Sequence, residues 1–163
     1  MKRGYSVMLT LICCSLLIAC SRSEESLVKT PSEYAQQLFE AKNPYIGDNS
    51  ADIKILELLN IQKEFGNYHI ELEADQEPNI IKLNFEEKPI LSEEFQDKSF
   101  LILALIKNAN EVQWSYPDNE DGEEVLITWY MNEKDATTIL NKDIKSFDEN
   151  AESLQELLDE LGM

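Results

Sequence analysis

The chain has 163 residues, of which 14 are Lys or Arg and 32 are Asp or Glu, so its net charge is −18 and its pI is about 4.3. This charge excludes nucleic acid as an expected partner, because a phosphate backbone is bound by basic side chains that displace its counterions. With 43% hydrophobic and 28% charged residues, the composition is that of a single folded globular domain.

The N-terminus has the features of a signal peptide. Lys2 and Arg3 precede an apolar run, Val7–Ala19, that is shorter than the ~20 residues of a membrane-spanning helix. The run ends in Leu17-Ile18-Ala19-Cys20, which resembles a bacterial lipobox. We expect residues 1–19 to be removed as a lipoprotein signal peptide. A conventional or uncleaved signal, in which the cysteine is incidental, is the alternative.

Cys20 determines the expected location of the mature protein. The lipobox resemblance implies a diacylglyceryl thioether on Cys20, with fatty-acid chains such as palmitate, at the extracytoplasmic face of the bacterial cell membrane. Two acyl chains give a stable anchor where one is marginal. Cys13 and Cys14 lie in the removed segment, so the mature chain has no free thiol for a disulfide or a metal. Residues 20–32 are interpreted as the lipid-anchored Cys and a polar tether.

Two helices are predicted after the tether. Ser32 is a candidate N-cap for a helix that carries an apolar stripe and ends at Lys42, before Asn43-Pro44. A second helix is predicted from Ser50 to Asn60, where Ile and Leu recur at helical spacing.

The hydrophobic period then changes from helical to alternating, which predicts two β-hairpins. The first pairs residues 68–72 with 81–85 around a polar turn, and the second pairs 112–116 with 125–131. Between the hairpins, a helix is predicted from Ser92 to about Ala109. Its segment 100–106 is apolar on all sides, as expected of a buried central helix.

The order helix, strand, strand occurs twice, which predicts an α+β fold. We expect two such units to form an antiparallel four-stranded sheet packed with helices, within a globular domain of residues 33–147. Two further helices are predicted, over 133–141 and 148–161. The acidic C-terminal helix, assigned to residues 148–163, either packs on the domain or extends from it as a mobile segment.

Two stretches of the chain resemble a known bacterial family. Lys42-Asn43-Pro44-Tyr45-Ile46-Gly47-Asp48-Asn49-Ser50 and Ala104-Leu105-Ile106-Lys107-Asn108 are similar to the family called domain of unknown function 4825, over about Tyr34 to Met131. The family occurs as small lipoproteins and beside membrane metallopeptidase sensors of the BlaR type. The resemblance implies an envelope location and a sensory, binding or accessory role, with an envelope protein or sensor as a separate partner. It supplies no catalytic residue.

Catalytic and metal-binding motifs are weak or missing in the sequence. His69 is the single histidine and lies on the polar side of a predicted strand, which excludes a multi-His metal site, and no Gly-x-Ser-x-Gly motif supports a His-based triad. The acidic loop 118–124 does not match the register of a calcium loop. We therefore predict no enzyme activity, no cofactor and no metal site. A carboxylate-dependent envelope hydrolase is kept as the alternative function.

The segment between the first two helices is the candidate binding loop, with Tyr45, Gly47, Asp48 and Asn49 as its candidate residues. One interpretation is structural, because Pro44 can end a helix, Gly can supply positive φ, and the polar residues can cap the next helix. The other is functional, because capping needs only one polar side chain and loops commonly display binding residues.

Overall fold

A computed structural model describes residues 30–90, 94–120 and 122–163. The expected signal peptide, Cys20, most of the tether, the predicted start of the third helix at Ser92 and Asp121 lie outside these residues. In chain order the elements are α1 (Glu33–Ala41), α2 (Asn49–Leu58), α3 (Ile61–Phe65), β1 (Tyr68–Glu73), β2 (Ile80–Phe85), α4 (Glu94–Leu105), β3 (Glu111–Glu120), β4 (Glu123–Asn132), α5 (Glu133–Leu140), a 3-10 helix (Ile144–Asp148) and α6 (Ala151–Glu160).

The four strands form one sheet in the order β1-β2-β3-β4. Both predicted hairpins are confirmed, since β1 pairs with β2 and β3 with β4 in antiparallel register. The prediction of a purely antiparallel sheet is wrong, because β2 and β3 are parallel. Helix α4 connects the two hairpins and returns the chain to the end at which β2 begins. A strand, crossover helix and strand joined in this way give parallel neighbours.

Helices cover one face of the sheet, and α4 lies at the centre of the core. The segment 100–106, which extends one residue beyond α4, is buried throughout, as predicted. Trp114 on β3 stacks on Phe95 with 4.5 Å between ring centroids, and its indole N–H donates to the Ser99 hydroxyl at 2.8 Å. Trp129 on β4 also lies near Phe95, with 6.3 Å between the rings. The two helix-strand-strand units therefore share one hydrophobic core.

The predicted second helix is divided into two in the structure. Helix α2 ends at Leu58, Asn60 adopts the left-handed conformation with φ of 57°, and the short helix α3 follows. Asparagine tolerates this conformation better than most residues, which allows the chain to turn there. Helix α3 places Ile61 and Phe65 in the core and ends at Gly66, whose φ is +102°.

The C-terminal helix packs on the domain. Leu154, Leu157 and Leu158 of α6 are buried, and α6 contacts both α1 and the 3-10 helix. The Gln155 side chain accepts a hydrogen bond from the Ser32 backbone at 2.9 Å, which joins α6 to the start of α1. Among the described residues, no helix combines the length and hydrophobicity that crossing a bilayer requires.

Lys145 joins the 3-10 helix to the C-terminal end of α4. Its buried ammonium group donates to the carbonyl oxygens of Leu103, Ile106 and Ala109 at 2.5, 3.0 and 2.7 Å. The Leu103 carbonyl lies in the last turn of α4 and the other two follow it, where acceptors lack helical partners and the dipole favours a cation. Burial lowers the pKa of Lys145 to about 8.

Candidate functional site

The candidate loop begins where α1 ends, and its second residue, Asn43, is hydrogen-bonded to the end of α4. We call residues 42–48 the Tyr45 loop. The Asn43 backbone N–H donates to Leu105 O at 2.8 Å, and the Lys107 N–H donates to Asn43 O at 2.9 Å. The two stretches that carry the family resemblance are therefore bonded to each other. The connection fixes the direction in which the chain leaves α1.

The side chain of Asn43 closes the first turn of the loop. Its Nδ2 donates to Tyr45 O at 2.8 Å and to Asp52 Oδ1 at 2.9 Å, while its Oδ1 accepts from the Tyr45 backbone N–H at 3.2 Å. Asn43 is almost completely buried. Both ends of its amide are therefore used to shape the loop, as expected for a buried polar side chain.

Asp52 is the buried acid that holds the loop from within α2. It is 0% exposed, and its second carboxylate oxygen accepts the Gly47 backbone N–H at 3.1 Å. Burial raises the pKa of Asp52, while the hydrogen bonds from Gly47 and Asn43 act in the opposite direction. Because both of its oxygens are engaged inside the loop, the carboxylate has a structural role there.

The remaining polar residues of the loop start helix α2. Asp48 is the N-cap, and its side chain accepts from the Ala51 N–H at 3.3 Å. Gly47 has a φ of +109°, a conformation that favours glycine. Asn49 is the first residue of α2 and does not supply the cap. The structural interpretation thus accounts for Gly47 and Asp48, but not for the exposed side chain of Tyr45.

Tyr45 and Ile46 point in different directions from the same short turn. Ile46 is buried in the core, and its N–H donates to Asn108 Oδ1 at 2.6 Å. The side chain of Tyr45 is 70% exposed, although its backbone N–H and C=O are both bonded within the loop. The loop is therefore an ordered support that presents one aromatic side chain to solvent.

Two residues of this site are not identified by the sequence patterns. Asp52 lies within the predicted second helix, and Asn108 ends the second stretch of the family resemblance, without an assigned role. A signal for Asp52 exists, since it shares a helical face with Ile55 and Leu56, and an acid on a buried face requires a partner. No pattern within the sequence pairs Asn108 with Ile46, which lies 62 residues earlier.

Asn49 and His69 meet at a shallow cleft beside the loop. The cleft has a volume of about 450 Å³ and is also lined by Ile53, Tyr68 and Glu86. The imidazole Nε2 of His69 lies 3.5 Å from a Glu86 carboxylate oxygen, and both side chains are largely exposed. The predicted place of His69 on the solvent side of its strand is confirmed.

A second groove lies where the β1–β2 turn meets the starts of β3 and α5. It measures about 750 Å³, and its lining includes Glu77, Glu111, Glu133 and Asp143. Glu77 and Asp143 are exposed, whereas Glu111 and Glu133 are half-buried, and Glu133 accepts a hydrogen bond from the Asn110 amide at 3.2 Å. Within the described ranges, no three His, Cys, Asp or Glu side chains are arranged to hold a metal ion.

Residues 118–120 and 123–124 of the acidic segment belong to the two strands of the second hairpin. Strand β3 continues to Glu120 and β4 begins at Glu123, so the strands are longer than predicted. Lys88 Nζ lies 2.7 Å from the Asp118 carboxylate, which lowers the pKa of that acid.

Comparison with protein families gives one match. The family model described as domain of unknown function (DUF4825) matches residues 38–128. The matched segment contains the whole Tyr45 loop, Asp52, Asn108 and most of the sheet. No curated protein and no solved structure matches the chain.

Proposed function

Since the chain belongs to the family of domain of unknown function 4825, we propose that it is a lipid-anchored lipoprotein of the cell envelope whose domain binds a protein partner through the Tyr45 loop. The partner is an envelope protein or a membrane sensor, located at the extracytoplasmic face of the bacterial membrane. The envelope location follows from the lipobox resemblance and from the settings in which the family occurs.

The observation that carries this proposal is the exposure of Tyr45 on an ordered loop. Asn43, Asp52 and Asn108 bond the backbone around it, so the loop loses little conformational freedom when a partner binds. Tyrosine is enriched at the centres of protein interfaces, because it buries a large area with few rotatable bonds. The geometry is therefore suited to an anchor residue.

The position of the loop agrees with attachment through Cys20. The predicted lipid attachment site precedes the N-terminal end of α1, and the Tyr45 loop follows its C-terminal end. The nine residues of α1 separate these two ends by about 14 Å. The eleven residues from Ser21 to Pro31 span at most about 40 Å when fully extended. Such a tether would keep the loop within reach of the parts of a membrane protein that lie close to the bilayer.

The alternative of a carboxylate-dependent hydrolase receives less support from the geometry. General acid–base catalysis uses a carboxyl group whose surroundings adjust its protonation. Asp52 is buried but engaged in the loop, and the acids of the larger groove are exposed or half-buried at an open surface. We therefore favour binding.

Photocrosslinking in intact cells tests the proposal. The full-length protein is produced with p-benzoylphenylalanine in place of Tyr45 and, as the matched control, in place of Ile139, an exposed residue of α5. We expect a discrete crosslinked species from position 45 only, and its loss when unlabelled wild-type protein is co-expressed in excess. Equal labelling from both positions, or no product from position 45, would contradict the proposed function.

A further inference from the structure

The two edges of the sheet differ in how they are protected from other strands. Strand β1 has six residues and exposes His69, Glu71 and Glu73 on the outer face of the sheet. Strand β4 has ten residues, and its segment Val125–Asn132 contains no charged residue, proline or glycine. Natural edge strands are commonly shortened or carry charges, proline or bulges that prevent pairing. The β1 edge follows this rule, and the β4 edge does not.

Strand β4 lies at one edge of the sheet. Its register with β3 is continuous from Glu123 to Asn132, and among the described residues no other strand pairs with it. Alternate residues of an edge strand direct their N–H and C=O groups away from the sheet. In addition to these backbone groups, β4 presents the residues Leu126 and Tyr130 on the outer face of the sheet, where they are 71% and 56% exposed.

Both ends of β4 are acidic. Glu123 and Glu124 begin the strand, and Glu133 and Asp135 follow its end in the first turn of α5, with Lys134 between them, so both ends carry a net negative charge. A second copy of the chain paired in parallel would place Glu123 opposite Glu123, and an antiparallel copy would bring Glu123 towards Glu133. Like charges across paired strands are destabilising. The same ends attract a segment that carries Lys or Arg.

We propose that β4 is a second docking site, which binds an extended segment of a partner protein as a fifth strand. The segment has alternating β-branched or apolar side chains that contact Leu126 and Tyr130, and basic residues at both ends. Main-chain hydrogen bonds supply affinity in this mode of recognition, while alternate side chains supply specificity. The site shares with the proposed function only the premise of a protein partner, and it does not involve the Tyr45 loop.

A synthetic peptide probes the site on the full-length lipidated protein in detergent micelles. The probe alternates Val, Thr and Ile over five residues, with Lys-Arg at each end. Two N-methylated versions carry the methyl groups on alternate amides, one version for each edge of the peptide. We expect the parent to bind and to slow hydrogen–deuterium exchange in β4 but not in β1. One N-methylated version should bind at least tenfold more weakly, and the other should bind like the parent.

Matched variants test the side chains and the charges. Leu126→Lys should weaken binding at least tenfold, whereas Ile139→Lys, at an exposed apolar position of α5, should not change it. A probe with Glu-Glu ends should bind at least tenfold more weakly than the basic probe.

Several results would overturn the inference. One is that the parent peptide does not bind at millimolar concentration, and another is that the two N-methylated versions bind equally well. Slower hydrogen–deuterium exchange outside β4 instead of within it would also contradict the inference. A dimer in sedimentation with β4 already protected would show that a second copy is the occupant. Loss of the crosslink at position 45 with normal peptide binding would contradict only the proposed function, and the converse would contradict only the present inference.

Discussion

The backbone N–H of Ile46 donates a hydrogen bond of 2.6 Å to the side chain of Asn108, across a sequence separation of 62 residues. Together with the bonds between Asn43 and the end of α4, it joins the loop after α1 to the segment that leads into β3. The geometry of the loop is thus determined by a contact between two distant parts of the chain.

Replacement of Asn108 tests this connection. Asn108→Ala removes the acceptor of a partly buried N–H, and we expect the free energy of unfolding to fall by about 1 to 3 kcal/mol. Urea denaturation measures the loss. Asn49→Ala is the matched control at an exposed position that does not cap α2, so its effect should stay within about 0.5 kcal/mol. Equal effects of the two substitutions would contradict the structural role of Asn108.

The neighbours Tyr45 and Ile46 should separate binding from stability. Tyr45→Ala removes an exposed side chain, so we expect the free energy of unfolding to change by less than about 0.5 kcal/mol. Ile46→Ala removes a buried one and should cost about 2 to 4 kcal/mol. Urea denaturation measures the stability of both variants. Their binding is compared by co-expressing each variant in excess and measuring how far it reduces the crosslink formed from position 45. A binding defect of Tyr45→Ala that is accompanied by an equal loss of stability would contradict its role as an anchor.

The buried Lys145 predicts a dependence of stability on pH. Its pKa is lowered from 10.5 to about 8 by burial, so between these values the unfolded chain binds more protons at this position than the folded chain. The free energy of unfolding therefore rises with pH through this window. Relative to Lys145→Met, the wild type should gain up to about 3 kcal/mol between pH 8 and pH 10.5.

Urea denaturation of the two proteins at several pH values measures this difference. Other groups that titrate in the same range are common to both proteins, so their contributions largely cancel. A constant difference across the window would show that the three carbonyl oxygens keep the ammonium group protonated despite its burial.

The central helix predicts the largest effects of substitution. Ile102 of α4 is 0% exposed, and Ile102→Ala should lower the free energy of unfolding by about 2 to 5 kcal/mol through lost transfer energy and a residual cavity. Ile139→Ala makes the same chemical change on the surface of α5 and should cost less than about 0.5 kcal/mol. Chemical denaturation measures both, and a cost below about 1 kcal/mol at Ile102 would indicate that α4 is peripheral.

Cys20 carries the prediction of membrane attachment. Cys20→Ala removes the thiol that the lipobox pattern predicts to be acylated, and we expect release from membrane fractions or accumulation of an unprocessed precursor without lipid label. Cys13→Ala, within the predicted signal peptide, is the matched control and should leave processing unchanged. Fractionation with metabolic fatty-acid labelling measures both. Normal processing and retention of Cys20→Ala would contradict the lipoprotein assignment.

Local patterns predicted those elements whose formation depends on neighbouring residues. The apolar segment 100–106, the two alternating hairpins and the cap at Ser32 can be read within short windows of sequence, because side-chain period and capping are local properties. The family resemblance was predicted on the same basis and is confirmed by the match over residues 38–128. The break at Asn60 was missed, since the Ile and Leu pattern continues through it into α3.

Only the tertiary structure decided how these elements combine. The parallel pairing of β2 with β3 follows from the path of α4, and periodicity within a strand carries no information on the direction of its neighbour. Lys145 has no motif, because the carbonyl oxygens that it binds lie 36 to 42 residues earlier in the chain. The partners of Asp52 are only five and nine residues away, but its burial depends on how α2 packs in the domain. For the same reason, the sequence predicted Tyr45 as a loop residue, but its exposure depends on Asn108 and Asp52, which hold the surrounding backbone.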